Sequence, residues 1–169
     1  MNRLILIMVF IVASKLVAQT LPVSARNILD SKYPDWFVIL YGSEYTNGGS
    51  PTKNIYPALF KCNLNKDSIP DYAIAFTAKG MQYYSAFVSN GKEYLFFILE
   101  DLSAAKDIDG LVGMTVHKKG EPITDYEVDA DQRVFETDAI SLVPFSGCCA
   151  TTHYYDAESK TFKWFTSGD

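Results

Sequence analysis

Residues 72–99 read YAIAFTAKGMQYYSAFVSNGKEYLFFIL, and the fold turns on how this stretch is divided. Three apolar runs, Tyr72 to Lys79, Met81 to Ser89 and Glu93 to Leu99, are separated by Gly80 and by Asn90-Gly91. Asn-Gly between two apolar runs is a strong short-range hairpin signal, because both residues tolerate the positive φ that tight turns need. The stretch therefore predicts a three-stranded antiparallel meander. In the last run Leu95, Phe97 and Leu99 alternate with Tyr94, Phe96 and Ile98, so both faces of that strand should be covered. The first run is uneven. Ala73, Ala75 and Thr77 make a low face against Tyr72, Ile74 and Phe76, and a helix is expected to dock on the low face.

Upstream, Leu21, Ala25, Ile28 and Leu29 recur at helical spacing and Pro22 suits a first turn, so residues 22–32 predict that helix. Tyr33-Pro34-Asp35 ends it, since the residue before proline avoids the helical region. Trp36 to Tyr41 and Ala58 to Cys62 read as strands, with Gly42 to Pro57 a polar loop between them. Downstream, Leu111 to Lys118, Asp138 to Phe145, Ala150 to Tyr155 and Thr161 to Thr166 read as strands. Residues 121–138 have no clear period, although Glu127, Asp129 and Asp131 would share one face if extended. The expectation is an α+β domain: one N-terminal helix packed on a curled, mainly antiparallel β-sheet of about seven to nine strands.

The chain has 169 residues, enough for one domain of ordinary size. With 11 Tyr, 11 Phe and 2 Trp it carries too much aromatic surface for a disordered chain. Fifteen basic residues against 20 acidic ones, with no basic run, exclude an electrostatic nucleic-acid binder. Met1-Asn2-Arg3 followed by the apolar run Leu4 to Ala13 and the small Ala18 reads as a signal peptide over residues 1–18. The run is too short to span a bilayer, so the mature chain is expected not to be membrane-embedded. Cleavage after Ala18 leaves residues 19–169 as a single domain, exported to the periplasm or outside. It also removes Arg3 and Lys15 but no acid, taking the net charge of −5 two units further negative.

Export changes the meaning of Cys62, Cys148 and Cys149. An oxidising compartment favours pairing Cys62 with either of the vicinal cysteines; the alternatives are a 148–149 bridge or three reduced thiols. Cys148, Cys149 and His153 have neither the spacing of a zinc site nor a nucleophile motif.

Residues 63–72 carry the one stretch with chemistry in it: Asn63, Asn65, Asp67 and Asp71 place oxygen-bearing side chains at loop positions 1, 3, 5 and 9. A tight loop with this spacing turns hard oxygen donors inward, as calcium requires. The segment resembles the D-x-[DN]-x-D-G-x-x-D loop of FG-GAP and VCBS-type modules. It is more similar still to the Leu-Asn-x-Asp-x-x-Pro-Asp-Tyr-Ala stretch of small secreted bacterial proteins, here Leu64 to Ala73. The C-terminal Tyr154-Tyr155, Phe162-Lys163 and closing Thr166 to Asp169 extend the likeness. The resemblance implies a calcium loop leading directly into a strand. Asn63 stands where those modules carry Asp, and Ser68 where they carry Gly, so any calcium would be held weakly. The alternative is an Asx-rich turn whose side chains bond their own backbone amides.

Asp107-Ile108-Asp109-Gly110 starts like a second such loop but lacks a downstream acid. Glu127, Asp129 and Asp131 read as a solvated edge, and His117 and His153 as structural. No G-x-S-x-G, H-E-x-x-H, P-loop or dinucleotide fingerprint is present. These observations favour an exported non-catalytic binding or interaction protein whose partner is a protein or a glycan. The other readings are a small exported hydrolase using carboxylates such as Asp101, Asp107 or Asp109, and a periplasmic inhibitor or immunity protein whose acidic surface suits a basic partner.

Overall fold

A computed structural model describes residues 21–42, 55–103, 112–128, 131–144 and 149–168. Residues 1–18, read above as a signal peptide, and Asp107, Asp109, Asp129 and Cys148 lie outside the described residues. In chain order the elements are α1 (Val23–Lys32), β1 (Phe37–Val38), β2 (Leu40–Gly42), β3 (Ile55–Pro57), β4 (Leu59–Cys62), β5 (Asp71–Ala78), β6 (Met81–Asn90) and β7 (Glu93–Ser103). There follow β8 (Val112–His117), β9 (Pro122–Asp125), β10 (Asp131–Val134), β11 (Ala139–Pro144), β12 (Ala150–Asp156) and β13 (Thr161–Gly168). Among the described residues the chain is mostly β with one helix, as expected, and its pairings are antiparallel. The strands exceed the seven to nine expected: 13 among the described residues, in sheets of five, six and two. Much of the excess comes from short pieces. Ile55–Pro57, read as loop, pairs with β2, and the ambiguous 121–138 stretch folds as the β9–β10 hairpin. Glu127 falls in that hairpin's connection rather than on a strand with Asp131.

The meander β5–β6–β7 forms the centre of the five-stranded sheet. Its first turn, Lys79-Gly80, has φ of +50° and +74°, which matches the right-handed twist of the strands it joins. At the second turn Asn90 pairs with Glu93, so the two central residues are Gly91 (φ +69°) and Lys92, one position later than the Asn-Gly reading. β4 and β1 share one edge of β5 in succession. Ala75 joins them by donating to the carbonyl of Ala58 and accepting from the amide of Ile39. The six-stranded sheet runs β10-β9-β13-β12-β11-β8.

The helix does not dock on the small-residue face. Its buried residues, Ala25 and Leu29, pack with Ile74, Phe76 and Phe87, while Ala73, Ala75 and Ala86 face Met114, Ile140 and Leu142 of the second sheet. The physical reason is volume. A short helix burying two modest side chains needs large partners, and these are supplied by Phe76, Tyr83, Phe87 and Phe96 around Tyr33, with ring centroids 4.8–6.3 Å apart. Two sheets approaching face to face instead need short side chains opposite the bulky Ile140 and Leu142. The layers therefore run helix, five-stranded sheet, six-stranded sheet. Each aromatic doublet is split between faces: Tyr83 and Phe96 lie toward the helix, and Tyr84 and Phe97 between the sheets.

One irregularity positions a side chain. Tyr84 pairs with Glu100 but Ser85 pairs with Ile98, so Leu99 is an extra residue in β7. This bulge breaks the alternation and turns Glu100 to the face of Tyr84 and Leu102, the face between the sheets.

Candidate functional site

The structure draws Asn63, Asn65, Asp67 and Asp71 into one network at the β4–β5 connection. Leu64, fully buried, pins the loop to the inter-sheet core, and Lys66 takes a left-handed φ of +66°. The Asp71 carboxylate, also fully buried, accepts from the Leu64 amide at 2.5 Å and the Ser89 amide at 2.7 Å. Asp67 accepts from the Ile69 amide (2.7 Å), the Ser89 hydroxyl (2.6 Å) and Asn65 Nδ2 (3.0 Å). Asn65 Oδ1 accepts from the Asp67 amide, and Asn63 Oδ1 from the Lys66 amide. These are Asx turns, each side chain satisfying backbone donors a few residues on.

The two carboxyls respond differently. Burial raises the pKa of Asp71 above the usual carboxylate value despite its amide bonds. Burial acts the same way on Asp67, but bonds from Ser89, Ile69 and Asn65 outweigh it and hold that carboxyl low. Asp138 braces the loop from the second sheet, accepting from the Asn63 amide, the Lys119 amide and Lys118 Nζ. Oxygen donors of the kind calcium takes are thus present, yet each carboxylate oxygen already accepts at least one hydrogen bond from the chain. Among the described residues no three His, Cys, Asp or Glu side chains are grouped to hold a metal.

Cys62 is a buried free thiol on β4, and Cys149, half-buried, precedes β12. Burial, with Asp71 and Asp138 nearby, pushes the Cys62 thiol far up, so it is not a thiolate nucleophile at neutral pH. Asp101 is exposed on β7.

Beside the loop runs an open groove of about 470 Å³. Phe135, Tyr154 and Tyr155 give it apolar surface. Two ion pairs, Lys66 with Glu136 and Lys163 with Asp156, stand along it. Bonding to Lys163 pulls Asp156 down to about 2, and Lys66 holds Glu136 below its usual value. No regular spacing links Leu64, Phe135 and Tyr154, so the groove had no signature in the sequence.

A second hollow, of about 240 Å³, opens at the edge of the sandwich and is lined by Leu99, Glu100, Thr151, His153 and Trp164. His153 and Trp164 are direct cross-strand neighbours, and Thr151 lies on the same face. His153 is 5% exposed and its Nε2 has no hydrogen-bond partner among the described residues, whereas Trp164 is 62% exposed. Burial lowers His153 to about 4, so the imidazole is neutral at ordinary pH. Burial, reinforced by Asp101, raises Glu100.

Comparison of the chain with protein-family models, curated proteins and solved structures gives no match. Among the described residues no helix is long and apolar enough to cross a membrane.

Proposed function

We propose that this chain is an exported, non-catalytic binding module and that the groove beside the 63–71 loop is its binding face. The observation that carries the reading is the groove's composition: an aromatic floor edged by oppositely charged side chains, the mixture that protein and glycan recognition uses. The hydrolase alternative needs one carboxyl kept protonated beside an ionised one. In the groove Glu136 and Asp156 are both driven the other way by their lysines; of the carboxylates on which that alternative rests, Asp101 is exposed on β7, and Asp107 and Asp109 lie outside the described residues. A basic protein partner suits the acidic chain, which is also the inhibitor version of the proposal. Export rests on the signal-like residues 1–18.

The loop's part in this reading is to hold Lys66 on the groove's rim, with the buried Leu64 anchoring the loop to the core. A calcium ion on Asn63, Asn65, Asp67 and Asp71 belongs to the proposal as a weak structural ligand. It has to share oxygens already engaged by amides, which places it at the weak end of extracellular sites, near 10⁻⁴–10⁻³ M by order of magnitude. Reversing the rim carboxylates with Glu136→Lys and Asp156→Lys should abolish capture of a basic partner from the exported fraction while leaving the unfolding midpoint in place. Equal capture by the wild type and the reversed variant overturns the groove as the binding face.

A further inference from the structure

We propose that the hollow at the sandwich edge is a second binding site, one that takes an alkylammonium group. Among the described residues three that line it carry hydrogen-bond acceptors: Glu100 its carboxylate, Thr151 its hydroxyl, and His153 a buried Nε2 without a partner, which has a lone pair when the neutral ring carries its proton on Nδ1. A primary ammonium has three donors and no acceptor, so its needs match what the hollow offers. The fourth polar feature is the Trp164 indole, exposed beside the same opening, whose π-face attracts a cation. Leu99 supplies apolar surface for the carbon stem.

The charge balance selects the cation over other ligands. Among the described residues no Lys or Arg lines the hollow, and Lys163, next to Trp164, projects to the opposite face by strand alternation. Glu100 and Asp101 are adjacent carboxyls that repel one another, and a bound cation relieves that repulsion. Among the described residues an anion meets no cationic side chain there, and the Glu100 carboxylate repels it. A buried imidazole nitrogen with no partner is costly to leave so, and a donor delivered by a ligand removes that cost. The bulge at Leu99 assembles the set: with regular alternation Glu100 would face away from the second sheet.

The ammonium comes either from a free small amine or from a protruding lysine side chain of a protein, and the two are separable with the mature protein. Isothermal titration with n-butylamine and with Nα-acetyl-lysine methylamide should detect binding of one or both, and n-butanol should not bind. Tighter binding of the lysine derivative assigns the site to a protein partner; binding of the amine alone assigns it to a free amine. Glu100→Gln and Trp164→Ala should each weaken binding about tenfold or more, the loss of a charged hydrogen bond or of a cation–π contact. Glu93→Gln, at the far end of β7, should bind as the wild type does. No binding of either amine, or equal binding of n-butanol, overturns the proposal. The site lies on the other face of β12–β13 from Lys163, so its failure and failure of the groove are read from different variants.

Discussion

The 63–71 loop and the hollow at Glu100 and His153 are both polar, both partly buried, and opposite in how their groups are satisfied. In the loop, each oxygen of Asp67 and Asp71 has a donor within the chain. In the hollow, a nine-tenths-buried imidazole nitrogen has none. The difference teaches how to tell a polar cluster that holds a fold from one that waits for a ligand. A satisfied network gains from staying as it is, while an unsatisfied buried atom gains from whatever reaches it.

The sharpest way to break the comparison is to remove Asp71. Asp71→Ala leaves the Leu64 and Ser89 amides buried without acceptors and should cost about 4 kcal/mol by urea unfolding. A cost under 1 kcal/mol, on the scale of ordinary surface changes, would show that the network is not what holds the loop.

Next in size is the pH response of the hollow. His153 has a folded-state pKa near 4 against 6.5 for the free side chain, so the neutral ring is favoured in the fold. Its contribution is complete above pH 6.5 and is lost as pH falls toward 4, up to about 3 kcal/mol at 1.36 kcal/mol per unit. Asp67 and Asp138, both held low, lose their stabilising effect lower still, as they protonate below the ordinary carboxylate range. His153→Phe should remove the step between pH 6.5 and 4 from a plot of unfolding free energy against pH. An unchanged step assigns it to other groups.

The smallest expected effect is the most discriminating for the loop. Asp67→Ala removes three hydrogen bonds at a half-buried position and should cost about 1–2 kcal/mol in chelator. Added calcium should then raise the melting temperature of the wild type and not of the variant. A wild type indifferent to calcium leaves the loop a pure Asx network.

The loop itself was legible in the sequence because its information is local. Asn63, Asn65, Asp67 and Asp71 lie within nine residues, and the Asx bonds of Asn63, Asn65 and Asp67 act over two or three positions, whereas the bonds of Asp71 and Asp67 to Ser89 reach across to β6. The meander was legible for the same reason, through Gly80, Gly91 and the alternation of Tyr94 to Leu99. Short strands such as Phe37–Val38 and Ile55–Pro57 were not. Two or three residues carry no period, and only the neighbour across the sheet makes them strands. The hollow was out of reach altogether. Glu100 and His153 are far apart in sequence, and a one-residue bulge opposite Tyr84 and Ser85 decides which way Glu100 faces.

By itself the sequence determined the single helix, the β-rich remainder, the central meander with its two glycine turns, and the loop that links β4 to β5. All of these follow from propensity, period-two patterning and turn chemistry, which act between near neighbours. Only the tertiary structure decided that Ala73 and Ala75 meet a second sheet rather than the helix. It alone set the strand order of that second sheet and brought Trp164, His153 and Glu100 around one opening. Those outcomes depend on volumes and registers summed over residues distant in the chain, where close packing, not local preference, selects among the arrangements.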